Sequence, residues 1–250
     1  MVYVEFLRAR TSLAWHLGIL AAITLLVSSL GHDTSVSING VRTVMGGTPV
    51  PLGALVPVAM LFAAIYASGA GTSLNRENLT RDLSWTKPLS RTLVALQFVL
   101  VDVAAIALVF ALTMLAVLAV LLRFHFIPVA GAALGPDLAL GLGVVVMWYA
   151  LIQVLTCSLG PGARSISGFL WPAAFVGLGL SKVPGALGVI ARAFDVVNPL
   201  AYMNGTLGNA GGVHQTSLWP LPVETRALVV WLFAALFCAI AITLWPRKEA

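Results

Sequence analysis

One apolar segment, residues 93–122, limits the fold of this chain more than any other feature. It contains neither glycine nor proline, and Asp102 is its only charged residue. A helix crosses the hydrocarbon core of a membrane with about 20 predominantly apolar residues. Five further apolar segments are candidates for the same role, at residues 13–30, 52–72, 138–159, 166–180 and 227–245. We therefore predict an all-α polytopic membrane protein with six transmembrane helices.

The composition is typical of the same class of protein. Hydrophobic residues make up 60% of the 250 residues and charged residues 9%, whereas a soluble domain has about 45–50% and about 25%. The mean hydropathy is +0.99. The net charge of +5 is spread over several short segments. This pattern predicts contact with the lipid bilayer and no nucleic-acid partner.

The positions of lysine and arginine predict the orientation in the membrane. Cytoplasmic segments of membrane proteins carry an excess of these two residues. Of the 14 in this chain, nine fall near the termini or in connections on the same side, and five fall in the other connections. We expect a multi-pass protein of the cell (inner or plasma) membrane with both termini in the cytoplasm.

The chain, residues 1–250, is predicted to form a single transmembrane domain with distinct connecting segments. Residues 1–12 have apolar side chains at helical spacing, which predicts an amphipathic interfacial helix before the first span. Residues 31–51 are rich in turn-forming residues and predict a surface loop. Residues 181–225 are too apolar for a free loop, and we expect them to form short extracytoplasmic helices packed on protein between spans five and six.

Residues 73–91 carry the highest concentration of charge in the sequence. Ser73 or Asn75 can cap a short helix, and Pro88 marks its end. A capped helix of mixed charge is compatible with an ordinary surface loop and equally with docking into the groove of a partner. The candidate docking residues are Arg76, Glu77, Arg81, Asp82, Trp85, Lys87 and Arg91.

Two motifs resemble a known family. Glu77 followed by Lys87-Pro88-Leu89-Ser90-Arg91 at the start of a long span resembles a cytoplasmic segment of type 2 ATP-binding-cassette (ABC) transporter permeases. Val183-Pro184-Gly185 followed by Asn198-Pro199-Leu200-Ala201-Tyr202 is similar to the segment after their fifth span. From this second match, Pro184, Asn198, Pro199 and Tyr202 are candidate residues of the outer re-entrant segment.

The resemblance implies a specific role for the chain. It would be the non-catalytic membrane subunit of an exporter, and residues 73–91 would be the coupling segment that docks a separate ATPase subunit. ATP and magnesium would bind to that partner and not to this chain. Six spans are half of the usual pair, which implies a second permease chain in a homodimer or a heterodimer. The apolar walls suit an amphiphilic substrate such as a drug, a peptide antibiotic or a lipid-like molecule.

Polar residues inside the spans leave an alternative function open. A charged side chain at membrane depth is costly and usually functional. Asp102 could pair with Arg91 or Gln97, couple transport to protons, or be buried in its protonated form. Trp148, Tyr149 and Gln153 could line a permeation path or join helices. The alternative is therefore a proton-coupled secondary carrier or channel that uses Asp102.

Several enzymatic and metal-binding motifs are absent from the sequence. There is no GxxxxGK[ST] phosphate loop, no HExxH helix and no GxSxG nucleophile turn. The four histidines are too far apart to suggest a metal site. The sequence therefore predicts no catalytic residue, no metal ligand and no cofactor on this chain.

Overall fold

The computed structural model of the protein describes residues 2–29, 35–38, 41–44, 47, 49–75, 90–131, 133–159, 164–203 and 221–248. Seven α-helices lie in this part of the chain: α1 Val2–Ser29, α2 Val56–Ala70, α3 Arg91–Arg123, α4 Leu134–Leu159, α5 Arg164–Leu180, α6 Ala186–Asp195 and α7 Val223–Lys248. Short 3-10 helices occur at Leu52–Leu55, Ser73–Asn75 and Pro199–Met203.

Five described helical segments are long and apolar enough to cross a membrane: Ala9–Ser29, Leu52–Ala70, Thr92–Arg123, Leu134–Ser158 and Val223–Trp245. The protein is thus a helical membrane protein with several candidate spans. The remaining predicted span corresponds to α5, which has 17 residues and contains Pro172. At a rise of about 1.5 Å per residue it extends about 25 Å, less than the roughly 30 Å of the hydrocarbon core. Five of the six expected spans therefore correspond to long apolar helices, and the sixth stays a prediction.

The first helix is continuous from Val2 to Ser29. Residues 2–12 are consequently the beginning of the same helix that contains the first span. Their placement at the membrane interface stays a prediction. The helix packs mainly on α3, and it leaves large apolar side chains such as Trp15 and Leu25 more than two-thirds exposed.

Helix α4 is the centre of the bundle, with α7 and α2 packed against it. Small residues allow helix backbones to approach closely in a membrane. A Cβ atom at Gly143 would lie 2.9 Å from Nε1 of Trp231 on α7. A Cβ atom at Gly141 would collide with Val56 on α2. These two glycines therefore allow α4 to contact both neighbours at once.

The segment predicted as a turn-rich surface loop at residues 31–51 contains short strands, and its position at the surface stays a prediction. β1 (Ser35–Ile38) and β2 (Val41–Val44) form an antiparallel pair. β3 (Pro49–Pro51) pairs in parallel with β4 (Ile127–Val129), which brings the start of α2 and the end of α3 to one end of the bundle. We call this the sheet end, and we call the opposite end, where α2 finishes and α3 begins, the loop end.

Two short helices follow α5 at the sheet end. α6 and the 3-10 helix Pro199–Met203 both pack on α5, and the 3-10 helix also packs on α4. Gly185 precedes α6 with a φ of +99°, a backbone conformation that glycine adopts without strain. The sequence predicted short helices between spans five and six, and within residues 181–203 the chain forms two.

Candidate functional site

A buried polar cluster lies at the loop end, where α2, α3 and α4 meet. Asp102 of α3 has only 1% of its surface exposed. Its Oδ2 atom accepts hydrogen bonds from Ser73 Oγ at 2.7 Å and from the Tyr149 hydroxyl at 3.0 Å. The carboxyl group is therefore held by two hydroxyls, one from the chain after α2 and one from α4.

Gln153, one turn after Tyr149 on α4, completes this cluster. Its Nε2 atom donates to Ser73 Oγ at 2.8 Å and to the Tyr149 hydroxyl oxygen at 3.0 Å. Because the protons of both hydroxyl groups are directed at Asp102, their oxygens can only accept hydrogen bonds from Gln153. The Nε2 atom of the Gln153 amide must therefore face them. Gln153 Oε1 is buried and has no hydrogen-bond partner among the described residues. We call Ser73, Asp102, Tyr149 and Gln153 the polar cluster.

The polar cluster answers part of what the sequence left open. The described partners of Asp102 Oδ2 are the hydroxyls of Ser73 and Tyr149, and pairing of Asp102 with Arg91 or Gln97 stays a prediction. Nothing is described of the Arg91 side chain. Tyr149 and Gln153 join three segments of the bundle, and a role in a permeation path stays a prediction. Hydrogen bonds of this kind contribute about 0.6 kcal/mol each on average between helices in a membrane.

The chain is anchored on both sides of residues 76–89. Before them, the carbonyl of Leu74 accepts a hydrogen bond from Nε1 of Trp245, on α7, at 2.9 Å, and Ser73 belongs to the polar cluster. After them, Ser90 caps α3, because its Oγ accepts from the backbone N–H of Leu93 at 3.2 Å. Such a cap satisfies one of the unpaired N–H groups at a helix start.

The docking residues predicted from sequence fall mostly outside the described part of the chain. This applies to the set Arg76, Glu77, Arg81, Asp82, Trp85 and Lys87. Arg91 is the first residue of α3. The predicted helix and its mixed-charge surface therefore stay predictions, whereas the two attachment points of the segment are defined.

An aromatic cluster lies nearer the middle of the bundle. Trp148 on α4 and Trp171 on α5 both donate their indole N–H to Ser68 Oγ on α2, at 3.0 and 3.2 Å. Their ring centroids are 4.7 Å apart. Phe175 stacks on Trp171 with a centroid distance of 6.2 Å and an interplanar angle of 24°. One serine hydroxyl thus fixes the position of two tryptophans from different helices.

These aromatic rings form one wall of a cavity of about 170 Å³. The cavity lies between α2, α4, α5 and the 3-10 helix Pro199–Met203. All of the side chains that line it are apolar or aromatic: Pro57, Met60, Leu61, Ala64, Val144, Val145, Trp148, Trp171, Phe175, Leu178, Pro199, Leu200 and Met203. The site can take an apolar ligand without any charged contact.

At the sheet end, Asn198 ties the short helices to α5. Its Nδ2 atom donates to the carbonyl of Ala174 at 3.0 Å and to Asp195 Oδ1 at 3.1 Å, and its Oδ1 accepts from Leu200 N at 3.2 Å. Asp195 and Asn198 are each 1% exposed. The Asn-Pro pair identified in the sequence is therefore structural, with Asn198 bonded and Pro199 buried at the start of the 3-10 helix.

Tyr202 and Pro184 complete the residues predicted for this segment. The Tyr202 hydroxyl donates to the carbonyl of Val196 at 2.8 Å, and burial raises the pKa of this tyrosine above its ordinary value. The carbonyl of Tyr202 accepts from Arg226 Nη1 of α7 at 2.9 Å. Pro184 is exposed in the turn before α6. Arg226 is 6% exposed, and its hydrogen bond to Tyr202 connects the 3-10 helix to α7.

Sequence reasoning missed two of these residues. Neither Ser68 nor Arg226 is among the candidate residues that the sequence predicts. Their roles depend on contacts with residues 80, 103 and 24 positions away, and no local pattern reports such contacts. Within the described residues, no group of three or more His, Cys, Asp or Glu side chains is placed to hold a metal ion.

Comparisons with protein-family models, with curated proteins and with solved structures return no match to this chain.

Proposed function

We propose that this chain is the transmembrane permease subunit of an ATP-driven ABC exporter. It would form half of a dimeric translocation path and dock a separate ATPase subunit through residues 73–91. The observation that carries the proposal is the anchoring of the chain on both sides of residues 76–89. A segment that transmits force needs firm attachment to the helices it moves.

The attachment distributes such a force over most of the bundle. A displacement of the segment acts on Ser73, and the polar cluster passes it to α3 and α4. It also acts on α3 directly through Ser90, and on α7 through the hydrogen bond from Trp245 to Leu74. Close-packed protein interiors have low compressibility and transmit small displacements. ATP and magnesium would act on the partner, since this sequence has no phosphate-binding loop.

The substrate and the assembly are further parts of the proposal. An amphiphile suits the apolar cavity, because its hydrocarbon part can be bound there without desolvating a charge. Export, and pairing with a second permease chain as a homodimer or heterodimer, rest on the sequence resemblance. The exposed apolar faces of α1 are compatible with lipid or with a second chain.

The test is co-purification of the chain with an ATP-binding subunit, followed by vanadate-sensitive ATP hydrolysis in liposomes. Arg81→Glu and Glu77→Ala should each weaken assembly with the ATPase subunit while the helical circular-dichroism signal is unchanged. Lys182→Glu is the matched control, because Lys182 is an exposed cation at the sheet end. Assembly that is equally strong in all three variants would contradict the proposed docking segment.

A second candidate function is a proton-coupled carrier, and one observation favours it. Asp102 is a carboxyl group buried at membrane depth whose Oδ2 is held by hydroxyls, an arrangement also suited to a group that gains and loses a proton. Asp102→Asn keeps the shape but cannot be ionised. Transport driven by a proton gradient should be lost in this variant, whereas ATP-driven transport should persist. Transport by the isolated chain on a proton gradient alone would replace the first proposal by the second.

A further inference from the structure

We propose that the cavity between α2, α4 and α5 is a binding site for a hydrocarbon chain. Its volume is about 170 Å³ and its lining is apolar or aromatic throughout. A buried water needs two to four polar partners, but the polar groups in this lining, the two indole N–H groups, both donate to Ser68. Hydrocarbon therefore fills this cavity more favourably than water does.

The size of the cavity defines how much of a ligand it takes. An apolar cavity of about 150 Å³ in a protein core binds a molecule the size of benzene. The cavity described here is slightly larger, so it accommodates a segment of about six carbon atoms. This is part of an alkyl chain and not a whole lipid.

The cavity opens at the surface of the helical bundle. Leu61 and Phe175 line it and are also 53% and 60% exposed on the protein surface. Leu61 lies in a candidate membrane span, where exposed apolar side chains are suited to contact with hydrocarbon. Trp148 lies deeper, and only 2% of its surface is exposed. A chain that reaches Trp148 must therefore be inside the cavity.

The aromatic wall is held in place before any ligand arrives. Ser68 fixes both indole rings, and Phe175 stacks on the second of them. A preformed site loses little conformational entropy on binding. The inference rests on the membrane-spanning placement of α2 and α4 and deepens the proposed binding of an amphiphile, and its test needs no ATPase subunit.

The hydrocarbon has two sources with the same chemistry, an acyl chain of a bilayer lipid or the tail of a free amphiphile. Bromine atoms quench tryptophan fluorescence only in close contact, so brominated chains report on both. In the first arm, the protein is placed in nanodiscs of phospholipid with brominated acyl chains. In the second arm, the nanodisc lipid is not brominated and a brominated single-chain detergent is added.

The contribution of Trp148 is the difference in emission between the unmodified protein and Trp148→Phe. We expect this contribution to be lost in at least one arm, and the arm in which it is lost identifies the source. Ala64→Phe, which adds a ring to the cavity lining, should restore the contribution of Trp148 to the emission. Ala111→Phe is the matched control, since Ala111 is exposed on α3, and it should leave the quenching unchanged.

Two results would overturn the proposal. One is a Trp148 contribution that persists in both arms, because no hydrocarbon chain then reaches the cavity. The other is equal quenching in the Ala64→Phe and Ala111→Phe variants, because the chain then contacts Trp148 from elsewhere. The first result needs no substitution in the cavity lining, so the proposal can be refuted even if Ala64→Phe fails to fold.

Discussion

Replacing Ser73 by alanine should loosen the junction of α2, α3 and α4, because one hydroxyl group there takes part in two buried hydrogen bonds. It donates to Asp102 over 2.7 Å and accepts from Gln153 over 2.8 Å. Hydrogen bonds between membrane helices contribute about 0.6 kcal/mol on average and up to about 1.7 kcal/mol. Loss of both bonds should therefore lower the free energy of unfolding by about 1–3 kcal/mol.

The assay is reversible unfolding in mixed micelles at increasing SDS fraction, followed by far-ultraviolet circular dichroism. Ser158→Ala provides the matched control. Ser158 is exposed near the end of α4, and its hydroxyl donates only to the carbonyl of Val154 in the same helix, at 2.7 Å. We expect the control to change the free energy of unfolding by less than about 0.5 kcal/mol.

A double-mutant cycle with Tyr149→Phe tests whether the polar cluster acts as a unit. Ser73 and Tyr149 both donate to Asp102 Oδ2 and both accept from Gln153 Nε2. Residues that share partners in one network show non-additive effects of about 0.5–3 kcal/mol. The reasoning would be refuted if Ser73→Ala cost no more than Ser158→Ala, or if the two substitutions were strictly additive.

Three further predictions concern other parts of the bundle. Gly143→Leu should lower the free energy of unfolding by about 1–3 kcal/mol, because the larger side chain forces α4 away from α7. Gly135→Leu, on an open part of the same helix, should be nearly neutral. Equal losses of free energy in SDS unfolding would contradict this prediction. Asn198→Ala should accelerate hydrogen exchange in residues 186–203, because it removes the hydrogen bond from Asn198 to the carbonyl of Ala174 on α5; unchanged exchange would show that other contacts hold this segment. Burial raises the pKa of the Tyr202 hydroxyl in the folded protein. As the pH rises, the unfolded state therefore loses the hydroxyl proton before the folded state does. The contribution of Tyr202 to stability should be intact below about pH 10 and should fall above about pH 10. Tyr202→Phe should reduce that fall, and an identical pH profile would contradict the assignment.

The long helices were predictable from the sequence because hydropathy is a local property. The 93–122 segment lies inside α3, and the predicted spans at 52–72, 138–159 and 227–245 each overlap a helix of the structure. The β-hairpin was also encoded locally, since Asn39-Gly40 between alternating residues is a strong hairpin signal. The turn-rich composition of residues 31–51 predicts a surface loop but does not by itself report the paired strands that the structure shows there.

The polar cluster was only partly predictable. Asp102, Tyr149 and Gln153 were identified individually because polar groups are rare in apolar spans. Their common partner, Ser73, was interpreted as a helix cap, since its distance of 29 residues from Asp102 in the chain gives no local signal. The cavity could not be predicted at all, because its volume depends on how four segments pack against one another.

The arrangement of α4 connects the polar cluster to the cavity. Trp148 and Tyr149 are consecutive residues of this helix, yet Trp148 bonds to Ser68 and lines the cavity, whereas Tyr149 bonds to Asp102. Consecutive side chains on a helix point in directions about 100° apart, so α4 has one face toward each site. Any rotation or shift of α4 that alters the bond between Tyr149 and Asp102 must also move Trp148 relative to Ser68. A force applied at the loop end can therefore change the shape of the cavity without direct contact with the residues that line it.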